Sequence, residues 1–138
     1  MQKLKEILQQ NGLRLTKQRQ GLWNELRSSN KHRDAEEIFF TLHNRGLKIS
    51  RATVYRTIEV LVNNNMIEKL DIGDGRARYE YNAKSMHHDH LVCTNCGKII
   101  EFHNAEIEEL QIKIAKGNKF KLLNHSHHLL GICEDCNK

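Results

Sequence analysis

The chain has 138 residues, 38% of them hydrophobic and 28% charged, with a formal net charge of +5. That length suits one ordinary domain or two small ones, and the balance excludes a wholly disordered chain. No apolar run approaches the roughly 20 residues of a membrane span, and residues 1–6 lack the apolar core of a signal peptide, so a cytoplasmic location is expected.

Helical periodicity dominates the first half. Leu4, Ile7 and Leu8 mark a helix over residues 2–10, which Gly12 closes. Thr16 is placed to cap a second helix with Leu22, Trp23 and Leu26 on its apolar face. Asp34 is placed to cap a third, with Glu37 in capping-box position and Ile38, Phe39 and Leu42 facing inward until Gly46 ends it. Ser50 caps a fourth helix running to about Asn64, with Val54, Ile58 and Leu61 as its stripe. Arg51, Ala52, Tyr55 and Arg56 project from another face, as they would on the recognition helix of a helix-turn-helix. Arg can serve phosphate or guanine, and a Tyr ring can meet a thymine methyl. An amphipathic helix kept soluble by its arginines is the plainer alternative on this segment alone. Residues 66–72 and 77–81 alternate around a Gly-Asp-Gly turn and read as a hairpin, which completes a winged helix. Residues 82–86 lose apolar periodicity. The expected domains are therefore a winged helix-turn-helix over 1–83 and a small α/β domain over 84–138.

Charge divides at the same place. Residues 1–83 carry 15 Lys+Arg against 10 Asp+Glu, whereas residues 84–138 carry seven of each. The second part holds seven of the nine histidines and all four cysteines. A basic half joined to a ligand-rich half points to a nucleic-acid binder coupled to a metal module.

The densest stretch is residues 87–96, with His87, His88, Asp89, His90, Cys93 and Cys96. On a strand, His88 and His90 share one face while His87 and Asp89 occupy the other. Cys93 and Cys96 form one CxxC pair, and Cys133 and Cys136 form a second, separated from the first by 36 residues. Two knuckle-spaced pairs can supply a tetrahedral structural zinc, replacing core that a domain of this size lacks. A redox role is the competing reading, but neither pair has thioredoxin-like surroundings. Imidazoles and carboxylates suit exchangeable Fe(II), Mn(II), Zn(II), Co(II) or Ni(II). A site on His88 and His90 needs further ligands, for which His32, Glu80 and Glu101 are on offer. Between these strands and the final CxxC, Asn104 is placed to cap a helix through about Lys116. Its expected buried stripe is Ile107, Leu110 and Ile114. An extended segment is expected from Phe120 to Ile132.

These motifs together resemble the ferric uptake regulator (Fur) family over nearly the whole chain. The resemblance rests on residues 12–16, on Ala52 to Arg56, on residues 87–98 with their CxxC, and on Asn124, His125 and Ser126 before the last CxxC. It implies a homodimeric, metal-dependent repressor with an N-terminal winged helix and a C-terminal α/β dimerisation domain. It places the regulatory site on His32, Glu80, His88, His90 and Glu101. A second site falls on His87, Asp89, Glu108 and His125, and structural zinc on Cys93, Cys96, Cys133 and Cys136. DNA contacts fall on Arg14, Arg19, Ser50, Arg51, Ala52, Thr53, Tyr55 and Arg56. Gln18 stands where the family commonly has Pro, and the loop between Glu80 and the histidines is one residue longer than usual. His127 and His128 receive no family role, and His43 and His103 are expected at the surface.

Peroxide-sensing members resemble this pattern but carry Asp where this chain has Glu101 and favour Asp where it has Glu80, and zinc-sensing members usually place a cysteine in the interdomain site. The resemblance therefore implies an Fe(II)-dependent repressor of metal-homeostasis genes acting on a double-stranded operator. Peroxide, manganese, zinc or nickel sensing are the alternatives within the family. A metal-dependent hydrolase or a zinc-bound adaptor are those outside it; no separate nucleophile accompanies the metal residues, and no catalytic role is expected.

Overall fold

The computed structural model describes residues 1–29, 31–81 and 88–138. The chain divides into two compact units, Met1–Ser85 and Met86–Lys138. In the first, helices α1 (Gln2–Gln10), α2 (Lys17–Arg27), α3 (Ala35–Asn44) and α4 (Arg51–Asn63) pack their apolar stripes together, burying Leu4, Leu8, Leu22, Leu26, Ile38, Ile58 and Leu61 almost completely. The caps explain the boundaries. Thr16, Asp34 and Ser50 each accept a hydrogen bond from the backbone N–H three residues on, satisfying donors that a helix start leaves open. Gly12 and Gly46 follow their helices at φ +73° and +84°, a conformation that costs glycine little.

Strands β1 (Arg33–Asp34), β2 (Glu68–Leu70) and β3 (Arg78–Glu80) form an antiparallel sheet in the order β1-β3-β2. The hairpin is shorter than the alternation suggests, because residues 71–77 form the turn. Strand β1 is only two residues long and has no periodicity to betray it. It matters nonetheless, since it ties the segment before α3 to the wing. Arg76, from the turn, adds ion pairs to Asp34 at 2.6 Å and Glu37 at 2.9 Å. Helices α2, α3 and α4 with this sheet make a winged helix-turn-helix, with α3 and α4 as its two-helix motif.

In the second unit, β4 (Asp89–Cys93) is the central strand of the order β5-β4-β6. It pairs antiparallel with β5 (Ile99–Phe102) and parallel with β6 (His128–Gly131). Helix α5 (Ala105–Gly117) starts at Asn104, whose side chain accepts from the N–H groups of Glu106 and Ile107. The side chains buried here among the described residues are Asp89, His90, Val92 and Cys93. Three of those four are metal-ligand types, so ligand chemistry stands where an apolar core would be.

Two expectations need correction. The stripe on α5 is not buried within the chain: Leu110 and Ile114 are 57% and 65% exposed. Helical periodicity reports that a face is apolar, not that the same chain covers it. The extended segment also forms a strand only over His128–Gly131, and Phe120, Leu122 and Leu123 lie exposed before it.

Candidate metal centres and DNA-facing helix

The four cysteines converge. Their sulfurs lie within 4.8 Å of one another, and Cys96 Sγ sits 3.7 Å from Cys133 Sγ. Zinc–sulfur bonds of about 2.3 Å in a tetrahedron put sulfurs about 3.8 Å apart, so the donors fit zinc. Each pair turns as a knuckle. Gly97 N–H donates to Cys93 O at φ +80°, and Cys136 N–H donates to Cys133 O. The N–H groups of Cys96 and Cys133 aim at Cys93 Sγ at 3.5 and 3.3 Å and pull its thiol down to about 6. At Cys136 the Asn95 side chain pulls downward, but the neighbouring sulfurs, Cys133 first, together with burial push it up to about 11. Four adjacent sulfurs cannot all ionise unaided. A zinc ion supplies the charge that lets them.

The His/carboxylate residues fall into three groups. In the first unit, β1 pairs Arg33 with Tyr79, and one step further that register sets His32 opposite Glu80. Their side chains meet at 2.7 Å, both about nine-tenths buried. In the second unit, the His88 and His90 rings stand 4.9 Å apart, and His88 Nε2 lies 3.5 Å from Glu101. On the other side of β4, Asp89, Glu108 and His125 bring one ligand atom each within 4.8 Å. Asp89 is fully buried, and His125 Nε2 lies 3.2 Å from Glu108. His87 lies outside the described residues. The alternation expected of the strand therefore holds for His88 and His90 against Asp89.

Arg51, Ala52, Tyr55 and Arg56 are exposed along the start of α4, as are Ser50 just before it and Arg14 just before α2. Thr53 is half-buried, its N–H and hydroxyl engaged with Ser50. Arg19 is turned inward, its guanidinium donating to Arg14 O at 2.8 Å and Thr57 Oγ1 at 3.3 Å. Sequence reasoning missed Glu36. Its carboxylate accepts from Tyr55 OH at 3.0 Å and from Arg51 Nε at 3.1 and 3.2 Å, and that hydrogen bond holds the Tyr55 phenol above its usual range. Glu36 sits on α3, 15 residues before Arg51, and no local spacing links them.

A winged helix joined to a small sheet dense in metal ligands defines a metal-responsive transcriptional regulator. The model of the Ferric uptake regulator family matches residues 10–130, and the chain belongs to that family. Its members are transcriptional regulators, not enzymes, and bind DNA as dimers with metal ions; the hydrolase reading ends there. The chain is 42% identical to the ferric uptake regulation protein of Campylobacter jejuni, covering 99% of this chain and 88% of that protein. The solved structure of the Helicobacter pylori ferric uptake regulator, which has three functional metal-binding sites, matches with a TM-score of 0.89 and 35% identity over 99% of this chain and 91% of that one. A zinc-bound manganese uptake regulator also matches, with a TM-score of 0.70 and 38% identity over 94% of this chain and 98% of that one.

Proposed function

We propose that this chain is an Fe(II)-responsive repressor that binds operator DNA as a homodimer, with His32, Glu80, His88, His90 and Glu101 as its regulatory ligands. One observation carries the reading. Each unit holds a half-site of the same chemistry: an imidazole against a carboxylate in the winged helix, and two imidazoles against a carboxylate in the sheet. Ligation by both halves fixes the angle between the units, and thereby the orientation of α4. Each half-site would contribute its own ligands, and a metal ion would supply the bonds that join them. Each tenfold gain in operator affinity takes about 1.4 kcal/mol of coupling, well within what such bonds offer.

Glutamate at both 80 and 101 favours iron over peroxide sensing, because the resemblance associates the shorter aspartate with peroxide chemistry. The similarity to a manganese uptake regulator keeps manganese as the second reading. We further infer that Asp89, Glu108 and His125, with His87, form an additional site, and that residues 1–83 act as the DNA-binding domain and 84–138 as the dimerisation domain. Arg14, Arg19, Ser50, Arg51, Ala52, Thr53, Tyr55 and Arg56 are the proposed contacts to DNA, with Arg19 needing to leave its internal partners to reach a phosphate.

Anaerobic operator binding with Fe(II), Mn(II), Zn(II) or Ni(II), alongside metal content per chain, tests this. His88→Ala with His90→Ala should abolish metal-stimulated binding while zinc content stays at one per chain. Operator affinity that is equal with and without metal would sink the reading.

A further inference from the structure

We propose that His128 is a metal ligand, and that with His88, His90 and Glu101 it makes a site complete within the C-terminal sheet. This rests on reading the last three as regulatory ligands, and adds that the sheet holds the ion without His32 or Glu80.

The strand register carries it. Glu101 pairs with His90 across β5 and β4, and His90 pairs with His128 across β4 and β6. Side chains paired in register leave the same face of a sheet, with strands about 4.8 Å apart. His88 lies two residues before His90 and shares that face. The result is a row of carboxylate, imidazole and imidazole across three strands, with a third imidazole beside its middle.

The distances suit a shared ion. An imidazole bound at about 2.1 Å places its ring centre about 3.2 Å from the metal. At the tetrahedral angle of a four-coordinate site, two such rings stand about 5.2 Å apart. The His88–His90 separation is 4.9 Å and that of His90–His128 is 5.8 Å, on either side of that value. His128 is half-buried on the edge strand β6, with its ring centre 5.8 Å from that of His90. His127 takes the opposite face, its ring 6.0 Å from Phe102.

Three imidazoles and one carboxylate complete a four-coordinate site for Co(II), Zn(II), Ni(II) or Fe(II). The sheet can then retain an ion while the winged helix is disengaged. When His32 and Glu80 join, they add to a metal already bound and need not capture one from solution.

The test is Co(II) titration of the full-length, zinc-loaded chain carrying His32→Ala and Glu80→Gln, read by visible d–d absorption. His125→Ala is included so that the Glu108 site does not compete. One Co(II) should bind per chain, and adding His128→Leu should weaken it about tenfold or more, since even outer-shell partners are worth 10–100-fold. His128→Gln should cause the same loss. Unchanged affinity in His128→Leu overturns the proposal, as does full affinity in His128→Gln, which would make the leucine effect one of packing. No Co(II) in the starting background overturns it too, while leaving the regulatory reading intact. That reading fails separately, if unsubstituted protein binds operator equally with and without metal.

Discussion

At the scale of single residues, Glu36 engages the exposed face of α4 that we propose meets DNA. A carboxylate on α3 holds both Arg51 and Tyr55 of α4, so the cation a phosphate would take is already engaged. The Arg51 guanidinium also stacks 4.5 Å from the Phe39 ring centre. Glu36→Gln removes the competing charge and keeps the side-chain volume. Exposed ion pairs contribute about 0.5–1 kcal/mol, so operator affinity should rise about threefold, with metal binding unchanged. Fluorescence anisotropy at fixed salt reads this. An unchanged or lowered affinity would show that Glu36 orients these side chains and does not restrain them.

Helices and strands depend on a few polar anchors. Glu25 of α2 is buried and reaches both ends of α3, pairing with Arg33 before it at 2.9 Å and with Arg45 after it. Glu25→Ala leaves the largely buried Arg33 guanidinium without that carboxylate, and should cost about 3 kcal/mol in urea unfolding followed by Trp23 fluorescence. Asp34 does a second job at the same helix start. Burial raises its carboxyl, but the Glu37 N–H and the Arg76 guanidinium outweigh that and hold it below its ordinary value. A carboxyl with a lowered folded-state value stabilises fully above its unfolded value near 4, and loses that stabilisation as pH falls through the folded one. Asp34→Asn should therefore narrow the stability difference between neutral and acidic solution; a difference equal to wild type would refute this.

For the molecule as a whole, the question is what covers the C-terminal unit. Leu110, Ile114 and Leu123 are 57%, 65% and 84% exposed, and a monomer seldom leaves so much apolar surface together. If that face is the dimer contact, Ile114→Glu should yield monomers in sedimentation and weaken operator binding at least tenfold with zinc content retained. This face also shows where sequence was legible and where it was not. Helix periodicity and caps located α1 to α4 nearly to the residue, and cysteine spacing predicted the thiolate cluster, because those signals are local. The apolar period of α5 was equally plain, yet it could not name the surface that covers it. His32 opposite Glu80 depended on a two-residue strand, and Glu36 on helix packing, both set by tertiary contact.

Strand β4 has a consequence for error tolerance. Its five residues pass from Asp89 and His90 to Cys93, and successive side chains serve opposite faces. A slip of one position would hand each imidazole and carboxylate to the wrong side. Zinc on Cys93 pins one end of that strand to Cys133, whose N–H already aims at the Cys93 sulfur. Zinc held by the four thiolates would thus be a register lock as well as a substitute for core. Its loss should scramble which ligands face which ion before it unfolds the sheet.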